Sequence, residues 1–507
     1  MFLKKNRAIL IIFFVIFILR LVFLSPWLED WDSVQFSLAL HEFDILKHQP
    51  HPPGYPLYIL LGKFLYYFFK SDVRALTFLS ALFGSLSVFI TYLFTKRMFN
   101  KKVALFSAII LSILPVHWVL SEIAISNIPG LFFLTLLVYI SYRDLTGSND
   151  EAPSTLRSGY LLPTLRRERN PSEAINSSLS SASSRSRYFA KGDKTLLGFI
   201  SGLSLGIRAT DAPIIIGVLL FSALKKRRIK YLIYLSIGLF LGISIWFIPL
   251  IFKTGFDAFR DANAEISRYI IWHDMLSGKP FSLFIYTKTR IFNFIKLMNI
   301  GYTFPLVLFF VISLIKIVLR KNVFKDTAFQ ILFVFFISYT IPLIFFYNQE
   351  LAQYTLPVAP VVAIIVSLYI TSFKKPWVTN TIFISLALYL FITSLSLVHY
   401  QSASIPPTIE PINYIKERLK AEETLLITTY TYRQFQYYLP GFKNYYGVSN
   451  APQEITSNYV VTDYNGLIKQ ISSLAQNYQL IDQVQFGPSK NPFVRVNKTN
   501  IFILKRK

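Results

Sequence analysis

The chain alternates between long apolar stretches and short polar connections. Each stretch holds about 20 nearly uncharged residues, the length that an α-helix needs to cross a hydrocarbon core of roughly 30 Å. The pattern therefore predicts about eleven membrane-spanning helices and not the buried helices of a water-soluble core. Their predicted positions are 7–24, 73–95, 103–120, 124–142, 195–207, 212–224, 231–251, 302–320, 327–346, 351–372 and 377–397.

Three segments interrupt this rhythm. Residues 25–72 carry acids, histidines and prolines between the first two spans, and a second long external loop is expected at 253–300. Residues 144–194 are rich in Ser, Arg and Asn, which predicts a disordered cytoplasmic loop, because this composition buries too little apolar surface to offset the entropy of ordering. We thus expect an all-α, polytopic transmembrane domain over 1–400 and a soluble extracytoplasmic α/β domain over 401–507.

The C-terminal segment shows local patterns of two kinds. Helical spacing is predicted for 412–419 and 467–474, and strands are predicted for 424–429, 459–462 and 500–504. The segment lacks a glycine-rich phosphate loop and a pair of acids, so its simplest interpretation is a lid or a module that contacts the acceptor.

Composition and charge support a lipid environment. Apolar residues fill 53% of the 507 positions, and 48 residues are Phe. This apolar content exceeds what one soluble core buries. The net charge of +25 does not indicate nucleic acid, because no basic soluble module and no nucleic-acid motif accompanies it. Lys/Arg clusters instead alternate along the connections, which predicts a cytoplasmic N-terminus and an extracytoplasmic C-terminus in a plasma or inner membrane. The absence of cysteine excludes disulfides and thiolate metal sites.

The first external segment brings three carboxylates to the membrane surface. Glu29, Asp30 and Asp32 follow the first span directly. A carboxylate at an apolar boundary has a raised proton affinity unless a cation or a donor compensates it, and general bases are tuned in this way. The alternative is structural, since Asp32 and Ser33 can cap the helix that the pattern suggests at 34–46.

A proline-rich turn comes next. Residues 49–57 read QPHPPGYPL, and an amphipathic stretch then leads to Arg74 at the start of the second span. Together with the acids, this order resembles the first external loop of GT-C glycosyltransferases, in particular the protein O-mannosyltransferase and aminoarabinose transferase relatives. The resemblance implies that Asp32 is the catalytic base or orients the acceptor. Asp30 is the second candidate, because the family's Asp-Glu pair is replaced here by two Asp residues that flank a Trp.

The same turn supplies candidate ligand contacts. His51 and Tyr55 are expected to contact substrate, although His51 also has the sequence context of a metal ligand, a phosphate contact or a structural turn residue. Arg74 is a secondary candidate for the donor phosphate. No cofactor is required, but a divalent metal ion is one option, and its candidate ligands are Asp30, Asp32, Glu122 and His51.

Two further turns carry charge between apolar helices. Glu122 lies at the outer end of the third and fourth spans, where a lone acid needs a partner or an aqueous cavity. The resemblance implies that it faces the acid of the first loop across the active site, and the alternative is a surface glutamate. Arg208 lies between the fifth and sixth spans, and its guanidinium suits a phosphate unless Asp211 pairs with it and makes both structural.

The remaining motif lies near the tenth span. Gln353 and Tyr354 begin the sequence QYTLP, which resembles the family's Arg-Tyr-x-x-Pro with Gln in place of Arg, and both are expected to contact substrate. Together these features predict an inverting hexosyl- or pentosyltransferase. It would move a sugar from a polyprenyl-phosphate-linked donor to a lipid, glycan or protein acceptor outside the membrane. The main alternative is a transporter or flippase of polyprenyl-linked glycans, which predicts repeated halves and helices broken near the midplane.

Overall fold

The computed structural model describes residues 7–147, 185–269, 283–320, 322–347, 349, 351–447, 449–452, 454–464, 466, 476–487, 489–493 and 499–507. Helices dominate these ranges, and a small sheet lies near the C-terminal end. The helices are α1 (Arg7–Val22), α2 (Trp31–His41), α3 (Pro56–Phe69), α4 (Asp72–Met98), α5 (Lys101–Ser112), α6 (Pro115–Leu120), α7 (Asn127–Thr146), α8 (Arg185–Ile207), α9 (Ala212–Lys226), α10 (Ile229–Thr254), α11 (Phe256–Tyr269), α12 (Leu283–Tyr302), α13 (Phe304–Val318), α14 (Thr327–Phe345), α15 (Ala359–Thr371), α16 (Pro376–Ala403), α17 (Glu410–Arg418) and α18 (Tyr432–Tyr438).

Among the described residues, six helices are long and apolar enough to cross a membrane, and the number is seven if the pair α12 and α13, bent by 114°, counts as one broken span. The apolar parts of α1, α3 and α8 are shorter. These criteria support a multi-pass membrane protein with fewer spans than the predicted number, so about eleven spans stays a prediction. The predicted third span is interrupted: α5 ends at Ser112 and α6 begins at Pro115, whose ring lacks an N–H and suits a first helical position.

Close helix packing brings the end of α8 against α10. A Cβ added to Gly202 would lie 2.6 Å from the backbone of Ile243, and one added to Gly238 would lie 2.1 Å from the carbonyl oxygen of Thr195. Glycine at these positions allows the two membrane helices to approach backbone to backbone, where dispersion contacts stabilise the pair. This contact positions the turn that follows α8, which contains Arg208.

The first external segment folds into two helices on the bundle. The helix suggested at 34–46 is observed as α2, and Val34 and Phe36 on it are buried in an apolar cluster with Tyr58 of α3. Between them, Gly54 has φ 105° and its missing side chain leaves room for Ile45, which a Cβ would approach to 2.9 Å. The proline-rich turn therefore depends on glycine at this position.

The C-terminal segment forms a five-stranded mixed sheet. Its strands are β1 (Thr424–Thr428), β2 (Lys443–Tyr446), β3 (Tyr459–Thr462), β4 (Tyr478–Phe486) and β5 (Thr499–Arg506), in the order β2-β1-β3-β5-β4. Strand β1 pairs in parallel with β2 and β3, whereas β5 is antiparallel to β3 and β4. The predicted helix at 412–419 and the strands at 424–429, 459–462 and 500–504 correspond to α17, β1, β3 and β5. The sequence patterns missed β2, β4 and α18, and the helix predicted at 467–474 lies outside the described residues.

Helix α18 joins the C-terminal segment to the first external segment. The Tyr438 hydroxyl accepts a hydrogen bond from the Leu28 amide at 2.9 Å, and the Gln434 amide donates to the Glu29 carbonyl at 2.9 Å. The Tyr437 hydroxyl donates to Asp72 at 3.0 Å. These bonds hold the sheet domain over the segment with the candidate acids.

The other interrupting segments are described only in part. Helix α7 continues to Thr146 and α8 begins at Arg185, so most of the loop predicted as disordered at 144–194 lies outside the described residues. The loop predicted at 253–300 contains α11 and most of α12, and 270–282 lies outside the described residues.

Candidate active site

The two aspartates of the first external segment have different surroundings. Asp30 caps α2: its carboxylate accepts a hydrogen bond from the Asp32 amide at 2.8 Å, as an N-cap side chain does for a free backbone donor. Asp32 lies in the first turn of α2, and 37% of its side chain remains exposed. Asp30 thus takes the capping role for which Asp32 was considered, and Asp32 keeps an accessible carboxylate.

Asp32 lies beside a hydrogen-bonded chain of three side chains. Oδ1 of Asp32 is 3.5 Å from Nδ1 of His51. Nδ1 is also 2.8 Å from Oε1 of Gln35, and Nε2 of His51 is 2.9 Å from the Tyr55 hydroxyl. The expected contacts His51 and Tyr55 are thus both at the acid.

The direction of these bonds follows from the His51 backbone. Its amide N–H donates to Oε1 of Gln35 at 2.9 Å, and since an N–H only donates, that atom is the amide oxygen. Nδ1 must then carry the proton, and Nε2 accepts from the Tyr55 hydroxyl. Burial, with the charge of Arg433 added, lowers the pKa of His51 to about 4. His51 is therefore neutral at physiological pH, with both ring nitrogens engaged.

Arg208 lies in a second buried polar group. The guanidinium is 4% exposed, and its Nε is 4.0 Å from Oδ1 of Asp211, which is an ion pair but too long for a hydrogen bond. Nη1 of Arg208 and both carboxylate oxygens of Asp211 are buried without a hydrogen-bond partner among the described residues. The pairing with Asp211 considered from the sequence is thus present, but it leaves a guanidinium donor available for an anion.

Three tyrosines surround this pair. The Tyr354 ring lies 5.9 Å from the Arg208 guanidinium carbon. The Tyr347 hydroxyl donates to the Thr210 carbonyl at 2.6 Å, and the Tyr347 ring lies 5.5 Å from that of Tyr339, whose hydroxyl is buried without a partner within the described part of the chain. Helix α14 and the segment after it thus face the turn between α8 and α9.

Electrostatic interaction joins the two groups. Although the Asp32 carboxyl is partly exposed, loss of water around it raises its pKa to about 6, and the charge of Arg208 opposes that rise. Burial also raises the pKa of Tyr55, which interacts electrostatically with both Asp32 and Arg208. Asp32, Tyr55 and Arg208 are therefore close enough to interact electrostatically, although Arg208 follows Asp32 by well over a hundred residues.

Glu122 has different partners from those expected. Its side chain is fully buried, accepts a hydrogen bond from the Trp118 indole N–H and interacts electrostatically with Arg20 of α1. Arg20 also donates to Ser85 and to Nδ1 of His117, each at 3.0 Å. Among the described residues, the Glu122 carboxylate has no contact with Asp32 or Arg208. Its carboxylate thus belongs to a network inside the bundle, and the expectation that it faces Asp32 across the active site stays a prediction.

The remaining candidates lie at the edges of the site. Arg74 is exposed in the first turn of α4, and its backbone amide donates to the Ser71 hydroxyl at 3.5 Å. Gln353 is buried, and its Oε1 has no hydrogen-bond partner within the described ranges. Among the described residues, no group of three or more His, Asp or Glu side chains comes close enough to hold a metal ion.

Gln35, Tyr339 and Tyr347 were not predicted from the sequence. Gln35 follows the acids closely, and a polar residue on the buried face of α2 was a usable signal. The two tyrosines carry no comparable signal, because tyrosine is common at the ends of membrane helices. Only the packing of α14 against α9 and α12 brings them to Arg208.

Known membrane glycosyltransferases share the fold of this chain. A sequence profile of the dolichyl-phosphate-mannose-protein mannosyltransferase family matches residues 50–153. No curated protein sequence matches. ArnT from Cupriavidus metallidurans bound to undecaprenyl phosphate superposes with a TM-score of 0.58 at 12% identity, over 99% of this chain and 98% of ArnT. The archaeal oligosaccharyltransferase AglB from Archaeoglobus fulgidus, in complex with an inhibitory peptide and a dolichol-phosphate, gives 0.52 at 12% identity, over 91% and 70%. The chain has a GT-C-like fold and resembles these glycosyltransferases.

Proposed function

We propose that the protein is an inverting glycosyltransferase that moves a sugar from a polyprenyl-phosphate donor to an acceptor at the extracytoplasmic membrane face. The proposal rests on one arrangement: the Asp32 carboxylate is 37% exposed beside His51, and the buried Arg208 guanidinium, whose charge acts on Asp32, keeps Nη1 without a hydrogen-bond partner among the described residues. An acid that accepts a proton and a cation that stabilises a leaving phosphate are the two groups this transfer needs.

Asp32 is the proposed base. Its carboxylate takes the proton of the acceptor hydroxyl while that oxygen forms a bond to the anomeric carbon of the sugar. The bond from this carbon to the phosphate oxygen breaks, its electron pair stays on the phosphate, and polyprenyl phosphate leaves. A pKa of about 6 leaves Asp32 mostly ionised at neutral pH and still a better proton acceptor than an ordinary aspartate.

Arg208 is the proposed phosphate ligand. Its Nη1 and the Tyr339 hydroxyl, neither of which has a hydrogen-bond partner among the described residues, are donors in the same buried group. Negative charge on the phosphate grows as the glycosidic bond breaks. These hydrogen-bond donors therefore stabilise the transition state more than they stabilise the bound polyprenyl-phosphate sugar. Asp211 balances the guanidinium before the lipid binds.

The other candidates take supporting roles in this proposal. Asp30 sets the start of α2, and Glu122 balances the buried charge of Arg20. Tyr55 and His51 orient Asp32 and the acceptor, and Tyr354 and Gln353 line the phosphate side. Arg74 has no role in this proposal, because its side chain is exposed in the first turn of α4.

The proposed topology follows from charge. About eleven spans with a cytoplasmic N-terminus place the Asp32 site and the sheet domain at 401–507 outside, by the positive-inside rule. The lysine- and arginine-rich end of α9, Lys225 to Arg228, then lies in the cytoplasm, on the opposite side from Arg208.

The test is transfer by the full chain in vesicles that contain a cell-envelope extract as the source of acceptor and are supplied with radiolabelled polyprenyl-phosphate hexoses and pentoses. We expect Asp32→Asn to abolish both transfer and the slower hydrolysis of the donor by water. Glu42→Gln is the matched control, because Glu42 is an exposed acid of the same segment that pairs with Lys47. Equal activity in the two variants would remove Asp32 as the base.

The flippase alternative draws on the bent pair α12 and α13. Helices broken within a membrane also form transporter sites. A flippase would move labelled donor lipid across the bilayer without releasing polyprenyl phosphate. The same vesicles therefore separate the two functions.

A further inference from the structure

Helix α18 buries a cation where the sheet domain meets the first external segment. Arg433 is 8% exposed, and its Nη1 and Nη2 donate to Oε1 of Gln436 at 2.7 Å and to the Lys47 carbonyl at 3.1 Å. Its Nε is buried without a hydrogen-bond partner, and no carboxylate among the described residues pairs with it. A buried guanidinium without a counter-ion is unfavourable unless a ligand supplies the negative charge.

Aromatic rings lie beside this cation. The Trp31 and Tyr446 ring centroids are 6.3 Å apart, those of Tyr432 and Tyr446 are 5.3 Å apart, and the Arg433 guanidinium carbon is 5.3 Å from the Tyr432 ring. Trp31, Tyr432 and Tyr446 form what we call the aromatic shelf. Tyr446 is 45% exposed, so part of the shelf is open to a ligand. The negative face of an aromatic ring suits the apolar, weakly positive C–H face of a sugar.

The shelf and the cation adjoin the proposed base. Trp31 directly precedes Asp32, and the charge of Arg433 acts on His51, whose Nδ1 is 3.5 Å from Asp32. Arg208 instead interacts with Asp211 and its surrounding tyrosines. Two separate cations thus reach the neighbourhood of Asp32, and the donor phosphate needs only one of them.

We propose that Arg433 and the aromatic shelf bind the acceptor, and that the acceptor is an anionic saccharide. Its carboxylate or phosphate group contacts Arg433, and one of its sugar rings packs on Tyr446. The assignment as an acceptor site rests on the proposed glycosyl transfer, whereas the binding itself does not. The sheet domain then selects the acceptor, and the membrane domain binds the donor.

Binding by the full chain in detergent tests this directly. The probes are tetragalacturonate with its methyl ester, and mannose 6-phosphate with mannose, so that each acidic saccharide has a neutral partner. Saturation-transfer NMR and titration measure the dissociation constants. We expect an acidic probe to bind about 10 to 100 times more tightly than its neutral partner, the ratio for one charge-assisted contact. The probe pair in which the acidic saccharide binds more tightly shows whether the preferred anion is a carboxylate or a phosphate.

Variants then locate the site. Arg433→Gln is expected to abolish the preference for acid, and Arg433→Lys to keep part of it. Arg418→Gln is the matched control, since Arg418 stacks on Tyr414 at 3.9 Å on the same domain but is exposed and paired with Glu417. Tyr446→Ala is expected to weaken the binding of acidic and neutral probes alike. Tyr446→Phe keeps the ring and is expected to bind the probes as tightly as the unaltered chain does.

Two results overturn the proposal: no acidic saccharide binds better than its neutral partner, or Arg433→Gln keeps the same preference as Arg418→Gln. Loss of fold is checked by the unfolding temperature, and if Arg433→Gln unfolds, Arg433→Lys and Tyr446→Ala decide. Glycosyl transfer is tested separately, because donor hydrolysis by water needs no acceptor. If hydrolysis survives Asp32→Asn while the acid preference depends on Arg433, the catalytic proposal fails and the binding site stands.

Discussion

Replacement of Arg208 by Gln separates a phosphate-binding role from a structural one. Gln retains an amide donor, but this donor lies two bonds closer to the backbone than the guanidinium nitrogens Nη1 and Nη2 and carries no charge. Because the guanidinium is 4% exposed, water screens it poorly. Loss of a donor that faces developing charge reduces kcat by about 100- to 1,000-fold, equivalent to ~2.7–4 kcal/mol in the transition state. We expect a loss of this size in kcat and a smaller change in KM for the donor.

The same change alters the pH dependence of the reaction. A base acts only when it is ionised, so kcat/KM rises as the pH passes the pKa of Asp32, which is about 6. Burial raises that pKa and Arg208 lowers it, so removal of Arg208 leaves burial unopposed. The acidic limb of the profile is therefore expected to move to higher pH in Arg208→Gln.

Initial rates of transfer from a labelled polyprenyl-phosphate sugar, measured between pH 5 and 9, test both effects. Arg74→Gln is the matched control, because Arg74 is an exposed arginine of the same external region. Its rate and its pH limb are expected to stay close to those of the unaltered chain. A phosphate-binding role for Arg208 is refuted if Arg74→Gln loses as much kcat as Arg208→Gln, or if the acidic limb stays in place without Arg208.

Three further outcomes are expected. Burial, opposed by a hydrogen bond from Ser489, raises the pKa of Glu29 to about 7. Docking of the sheet domain is therefore strongest below the ordinary carboxyl pKa and weakens as the pH rises through 7, by at most about 3 kcal/mol. Glu29→Gln is expected to remove this pH dependence, measured by limited proteolysis at pH 5 and pH 8. Gln35→Leu removes the oxygen that accepts the hydrogen bond from His51 Nδ1, and it is expected to lower kcat about tenfold without raising KM for the donor lipid. Gln35→Asn keeps an amide oxygen at this position and is expected to recover part of the rate. Gly130→Ala places a Cβ 2.5 Å from Oδ2 of Asp211, so we expect transfer to fall while the unfolding temperature changes little; an unchanged rate contradicts the proposed role of that pair.

Local patterns carried much of the architecture. Runs of apolar residues with helical length predict spans because a backbone in lipid must satisfy its own hydrogen bonds. The acids and Arg208 were singled out because charge beside apolar sequence is costly enough to require a reason. The proline-rich turn was singled out by its resemblance to the first loop of GT-C glycosyltransferases. The strands β1 and β3 were predicted for a similar reason, because β-branched and apolar runs are local signals.

Contacts between distant segments decided the rest. Asp30 and Asp32 are chemically alike, and only the N-cap geometry of α2 assigns one of them to the backbone. Glu122 turns towards Arg20 because the loop before α7 packs against α1, a contact that no local pattern encodes. The sequence alone thus determined a helical membrane protein with acids in the segment after its first apolar helix. Tertiary packing decided which charges meet, because the energy of a buried charge depends on neighbours brought from far along the chain.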